Sequence, residues 1–441
     1  MSTLRALLFI PIAGIAFLHS CSGTKRIERP GVLQAGPLET DSKLVAGADN
    51  FLEDLMARNS QFFSEILGHR KDWNVQVIYT RIDRDDRGDP HLLEHRFNVD
   101  PSRYFYPAST VKLPVVLLSL QRLNELRERG IEKSTAMITE RSDTNQTAVY
   151  NDPGTVDGRP NIAQYIRKIL LVSDNDAFNR LYEFLGQDYI NGELRKKGYL
   201  SAEITHRLGI SMSPEENRLT NPVRFLDRYS KTIYEQEPRN SSLGFANRSD
   251  FMGKGYYSGA QLIKGPMDFS KKNRISLSDL NRILVGLIFP KQIPSNQRFD
   301  LTEEDNRFIL KYMSQLPTES SYPPYYTDTT DYWPAYCKFL LAGSEKGPLP
   351  ENIRIFNKVG DAYGQLTDVA YIVDLKNRVE FFLSATIYCN SDGILNDDKY
   401  DYETVGLPFM KHLGGVIYEQ ELIRPRKYKP DFSAIMFKYD K

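Results

Sequence analysis

Strand-like runs in this chain fall in two groups, one near its beginning and one near its end, with helical patterning between them. Residues 73–82 alternate through Val75, Val77 and Tyr79, and 92–99 read as their hairpin partner across a turn bearing Asp and Gly. Far downstream, 352–358, 368–374 and 379–388 read as three more strands, with Lys376-Asn377-Arg378 as the polar turn between the last two. A helix over 50–67 precedes the first pair, with Phe51, Leu52, Leu55, Phe62, Phe63, Ile66 and Leu67 at helical spacing, and another over 402–413 follows the last strand. At 441 residues the chain can bury a sizeable core, either as one large domain with insertions or as two domains.

The 57 basic and 57 acidic residues cancel, so the overall charge gives no reason to expect nucleic acid or an anionic surface as a partner. High aromatic content and well-mixed charges fit a folded, soluble domain. Arg5 followed by the apolar run 6–18, broken by Pro11 and Gly14, reads as a signal peptide over 1–20. Leu18-His19-Ser20-Cys21 resembles the lipobox of bacterial lipoproteins, which implies a lipid on Cys21, a membrane as partner through that lipid, and a place in the cell envelope facing the periplasm. Residues 21–47 then read as a polar tether. Cys337 and Cys389 are an even pair that an oxidising compartment would allow to bridge, although two buried thiols fit the sequence as well. The six histidines are scattered and no cluster has metal-ligand spacing, so neither metal nor cofactor is expected.

Three short motifs carry the chemistry. Over 104–120 a loop ends and an apolar helix opens, with Ser109 placed in its first turn and Lys112 after it. One turn apart on one face, they bring an ammonium within reach of a hydroxyl. Pro114 stands near the helix start, where a missing N–H is best tolerated, and the N-terminal dipole favours a developing negative charge beside the Ser109 N–H. The spacing alone is weak evidence, since Ser22 and Lys25 repeat it in the tether. Ser173-Asp174-Asn175 joins helices read over 161–171 and 177–185. All three side chains can cap a helix, yet a given tripeptide of this kind is expected in only roughly one chain in twenty of this length. Lys358-Val359-Gly360 ends the first downstream strand, whereas the similar Lys196-Lys197-Gly198 falls on a helix.

In their order, these motifs resemble those of the penicillin-recognising serine hydrolases, and among them class A β-lactamases and their relatives, over about residues 50–419. The resemblance implies a β-lactamase/transpeptidase-like α+β fold, with a five-stranded antiparallel sheet flanked by helices and an all-helical subdomain. The domain would span 48–420, with insertions near 223–273 and 318–350 and a C-terminal extension over 421–441. Ser109 would form an acyl-enzyme, Lys112 accept its proton, and Ser173 pass a proton to the leaving nitrogen. Asn175, Lys358 and Gly360 would bind substrate, and the backbone N–H groups of Ser109 and Asp361 would form an oxyanion hole. The substrate would be a β-lactam or a peptidoglycan-derived amide, with a D,D-peptidase or an inactive binding module of the same fold as the alternatives.

Three positions depart from that pattern. Val359 stands where the family usually has a hydroxyl, and one charge-assisted bond of that sort is worth about 1.5–3 kcal/mol. Thr367 and Asp368 stand about where many class A enzymes hold an arginine. Glu215 and Glu216, in Pro214-Glu215-Glu216-Asn217, are the acidic candidates for positioning the deacylating water, and a surface turn with two solvated carboxylates is the competing reading. Val359 favours the peptidase or the binding module over the lactamase. Tyr322, Tyr325, Tyr326, Tyr332, Trp333 and Tyr336 crowd the second insertion, where packing over the core is expected more often than a substrate platform.

Overall fold

The computed structural model describes residues 44–46 and 50–441. The leader over 1–20 and Cys21 lie outside the described residues. The two groups of strands form one sheet. Its strands are β1 (Leu44–Ala46), β2 (Gln76–Arg84), β3 (Pro90–Phe97), β4 (Ile353–Ala362), β5 (Gln365–Asp374) and β6 (Val379–Tyr388), arranged β1-β3-β2-β6-β5-β4. Five are antiparallel, and β2 meets β6 in the middle with Thr80 opposite Phe382. Residues 44–46, read as the end of the tether, add a short parallel edge strand beside Leu92–Glu94.

Apolar residues cover both faces of this sheet, which is why the downstream strands lack a clean polar alternation. All ten residues of β5 are buried. Val369, Tyr371 and Val373 join the core on one side, and Ala370 and Ile372 join the core on the other. Helices α1 (Phe51–Arg58) and α2 (Ser60–Gly68) pack on that second side. The expected single helix over 50–67 is broken at Asn59, whose amide bonds back to Leu55 O at 2.9 Å and whose N–H bonds to Met56 O.

The first side carries α3 (Lys112–Glu125), α4 (Ile162–Val172), α5 (Asn175–Lys196), α6 (Leu277–Ile288) and α7 (Glu303–Ser314). Every residue of α3 from Lys112 to Gln121 is buried, as its all-round apolar sequence requires. Each fully buried Leu or Val there contributes about 1.5–3 kcal/mol relative to exposure. The last helix, α8 (Leu407–Ile423), starts later than expected, after a π-turn over Tyr402–Gly406, and returns to the second side. It runs into the C-terminal extension, where Phe432, Ile435 and Phe437 pack on the larger core.

The helical side also holds a small antiparallel sheet of Ala136–Thr139, Val223–Leu226 and Thr232–Gln236. Within the first insertion, a hairpin of Gly255–Ser258 and Gln261–Lys264 pairs with Ile394–Leu395. The insertion ends at Ser276, the N-cap of α6, which accepts from Asp279 N. The Asp279 carboxylate turns instead to the Ser201 hydroxyl at 2.5 Å, so only half of a capping box forms. In the second insertion Tyr325, Tyr332 and Tyr336 pack against the core. Cys337 and Cys389 are both buried, free thiols.

A buried charge network fixes the segment over 206–221. The Glu183 carboxylate takes Arg207 Nε at 2.8 Å and Arg180 Nη1 at 3.1 Å, all three side chains being 1% exposed. Arg180 also donates to Thr147 O, and Arg207 to Leu219 O and Asn221 Oδ1. Burial pushes the Glu183 pKa up, while the two guanidiniums pull it down. Removing the carboxylate leaves two buried cations uncompensated, so Glu183→Ala is expected to lower the unfolding free energy by about 3–5 kcal/mol. Denaturant titration checks this, and a loss under about 1 kcal/mol would show that the network does not hold the segment.

Candidate active site

Ser109 lies in a 3-10 turn over Ala108–Val111 that runs straight into α3. The Lys112 N–H bonds back to Ser109 O, and Thr110 fastens the turn through its N–H and hydroxyl to Pro107 O at 3.0 and 2.6 Å. Ala108, immediately before Ser109, has φ +45°, a left-handed conformation that costs a residue with a Cβ on the order of 1–3 kcal/mol. The core on either side of the turn holds that strain in place.

Lys112 is fully buried, and its three bonds all reach the α4–α5 junction. Its ammonium donates to Ser173 O, to Asn175 Oδ1 at 2.7 Å and to Ser173 Oγ at 3.3 Å. The Ser109 hydroxyl has no hydrogen-bond partner among the described residues, so the structure ties Lys112 to the second motif rather than to the hydroxyl beside it. Burial drives the Lys112 pKa well below that of a free lysine, and the charge on Lys358 adds to the effect.

Ser173 is the left-handed C-cap of α4, with φ +58° at a position where glycine is the usual residue. A glycine there would relieve the backbone but remove the hydroxyl that takes Lys358 Nζ at 2.7 Å. Asp174 turns away and caps α5, accepting from Ala177 N at 2.8 Å. The tripeptide is thus a helix cap through one residue and a meeting point of lysines through the other two.

Lys358 reaches Ser173 from the sheet and also donates to Val359 O at 2.8 Å. Burial pushes its pKa down to about 8. Strand β4 continues four residues past Lys358, so the third motif and Asp361 sit within a strand rather than at its end. Gly360 lies against the Ser109 turn. A Cβ on it would come within 2.7 Å of Pro107 O and 2.8 Å of the Ser109 and Thr110 nitrogens. Val359 is 2% exposed, and Thr367 bonds Thr386 across the sheet.

Behind β4, Lys338 is buried and donates to Asn357 Oδ1 at 2.7 Å and to two carbonyls; the Asn357 amide in turn donates to Asp368 Oδ1 at 2.8 Å and Asp368 Oδ2 accepts from Leu340 N. This chain of bonds ties the second insertion to the strand that carries Lys358. Burial lowers the Lys338 pKa to about 8 and raises that of Asp368 to about 6. A lone Lys within the apolar run 335–342 was the one trace of it in the sequence.

Glu215 and Glu216 stand apart from these bonds, although Glu215 lines a cavity that Tyr106, Gly209 and Tyr363 also line. Both belong to a one-turn helix over Pro214–Arg218, where the Glu216 carboxylate completes a capping box with Ser213 and takes the Asn145 amide. Neither carboxylate is bonded to Ser109, Lys112, Ser173 or Lys358. The neighbouring Asn217 is a buried staple that accepts from Arg207 N and donates to Met212 O and Ser213 O. Gly209 is the residue of this segment that meets the site. With φ +70°, it packs so closely that a Cβ would lie 2.8 Å from Asn175 Nδ2.

The sheet, its two helical layers and this convergence at one helix N-terminus define a β-lactamase/transpeptidase-like fold. Residues 69–405 match the family model described as "Beta-lactamase enzyme family", and the chain belongs to that family. Solved structures with a similar chain path include a beta-lactamase from Sphaerobacter thermophilus DSM 20745, with 14% identity, a TM-score of 0.46 and coverage of 85% of this chain and 98% of that one. A class A beta-lactamase from Clostridium kluyveri DSM 555 has 14% identity and a TM-score of 0.45, covering 82% and 98%. PBP-A has 16% identity and a TM-score of 0.44, covering 83% and 95%. No curated protein is significantly similar to the chain.

Because the Gly360 backbone lies against the Ser109 turn, Gly360→Ala is expected to displace that turn while leaving both cores intact. Under the acyl transfer proposed below, covalent labelling at Ser109 by a penicillin should fall about 100-fold with the far-UV circular dichroism unchanged. Labelling within about twofold of the parent would show that the close approach is dispensable.

Proposed function

We propose that this chain is a serine acyl-hydrolase that attacks a β-lactam or related amide through Ser109. The meeting of Lys112 and Lys358 at Ser173 and Asn175, with Gly360 packed on the Ser109 turn, carries the reading. Neutral Lys112 takes the Ser109 proton as Oγ bonds to the carbonyl carbon, and Ser173 returns a proton to the departing nitrogen. The Ser109 and Asp361 N–H groups hold the oxyanion, and charged Lys358 orients Ser173 and attracts a substrate carboxylate.

The placement of Glu215 and Glu216 favours a long-lived acyl-enzyme, as in a D,D-peptidase, over rapid β-lactam turnover. One is committed to a helix cap and the other has no bond toward the site. Glu215→Gln and Glu216→Gln are therefore expected to leave the acyl-enzyme lifetime unchanged. A lifetime lengthened tenfold or more in either variant would restore that residue as the deacylating base. The leader and Cys21 support an envelope-anchored lipoprotein facing the periplasm, which metabolic palmitate labelling of the parent and of Cys21→Ala tests directly.

Labelling with a fluorescent penicillin should require Ser109 and vanish in Ser109→Ala; surviving label would overturn the assignment. The pH dependence follows from the two lysines. Labelling should rise with pH as Lys112 loses its proton, at a pKa well below the 10.5 of a free lysine, and fall as Lys358 loses its charge near pH 8. A rate that climbs steadily to pH 10.5 would mean that Lys112 is an ordinary lysine and not the proton acceptor.

A further inference from the structure

A cavity of about 730 Å³ adjoins the Ser109 cleft without including Ser109 itself. It lies between residues 206–218 and the inserted segment around 245–248 and 268–272. Three lining residues connect it to the site. Tyr106 is three positions before Ser109, Gly209 packs on Asn175, and Tyr363 is two positions beyond Asp361. Tyr106 and His206 present parallel rings with centroids 6.1 Å apart. A volume of this size holds a multi-atom organic group rather than a water cluster.

Basic residues outnumber acidic ones along its lining, which also includes Glu215 and Asp268. Five basic and three acidic residues line it, and two of these, Arg248 and Glu203, pair with each other at 2.8 Å. Lys271 is exposed and Lys272 half-buried, with its ammonium 5.8 Å from the Tyr363 ring centroid; neither is ion-paired among the described residues.

We propose that this cavity binds the acyl-side arm of the amide attacked at Ser109, and that the arm carries a carboxylate. The proposal rests on the acyl-transfer reading above. Lys271 and Lys272 supply the charge for the carboxylate, the Tyr106 and His206 rings pack its apolar stem, and the insertion makes the recognition a property of this chain.

The test uses two compounds, 6-aminopenicillanic acid N-acylated with a glutaryl group or with a pentanoyl group, which differ in a terminal carboxylate against a methyl. The parent should be acylated about tenfold faster by the glutaryl compound. That preference should drop below twofold in Lys271→Met/Lys272→Met and persist in Lys271→Arg/Lys272→Arg, which keeps the charge and controls for folding. Equal rates in the parent, or a preference retained by the Met variant, would overturn the proposal. If neither compound acylates Ser109, the acyl-transfer reading fails, and calorimetry with the glutaryl compound judges the cavity by itself. Saturable binding that weakens about tenfold in the Met variant upholds the cavity as a carboxylate site, and no binding overturns it.

Discussion

Lys112 is the constraint on which the arrangement turns. A lysine without solvent exposure, at the start of a helix buried on all sides, is tolerated only where its donors are matched or its charge is given up. Its three acceptors all come from residues 173–175, so the α4–α5 junction must sit over the first turn of α3. Lys358 then reaches the same serine from the sheet, and the helical layer and the sheet meet at one hydroxyl. Placing Ser173 there forces a left-handed backbone on a residue with a side chain, and Ala108 bears the same strain beside Ser109. Two such positions flanking one site, each held by surrounding core, mark where the fold gives up local stability for geometry.

Much of this was legible in the sequence because it rested on period and order. Val379–Tyr388 appears with the bounds expected of it, and both groups of strands exist where alternation and β-branched content placed them. Strand β4 was read four residues short because Gly360 and Asp361 look like a strand end, whereas Gly360 is there to let the Ser109 turn approach. The helix over 50–67 was read through Asn59 because apolar spacing continues across it, and only the side-chain bond to Leu55 O reveals the break. Residue type also did not say which member of Ser173-Asp174-Asn175 caps and which two face the lysines. Asp174 takes the cap, the role ordinary helix chemistry offers to any of them.

The supporting residues were hidden for a different reason. Arg180, Glu183 and Arg207 come from one helix and a distant loop, so no local pattern announces that their charges meet in the interior. Lys338, Asn357 and Asp368 are equally dispersed, yet they join the second insertion to β4. Both networks tie segments around the site to the rigid layers beneath it. Insertions that read as excess length therefore act as structure, one bracing the strand of Lys358 and the other walling the cavity beside Ser109.

The division of labour between the two site lysines follows from their surroundings. Two ammonium groups bonded to one serine cannot both keep a full charge cheaply, since each like charge raises the cost of the other. Burial acts on both, but Lys112 also feels Lys358 as its largest charge interaction, whereas the charge effects on Lys358 come from Cys337, Asp361 and Asp368, all of which favour its protonated form. At neutral pH a pKa of about 8 leaves Lys358 predominantly protonated, while burial and the charge on Lys358 together hold Lys112 well below a free lysine. These surroundings suit the roles proposed for the pair, proton acceptor for Lys112 and electrostatic anchor for Lys358. The hydroxyl between them is then polarised from both sides, which suits the proton transfer proposed for Ser173.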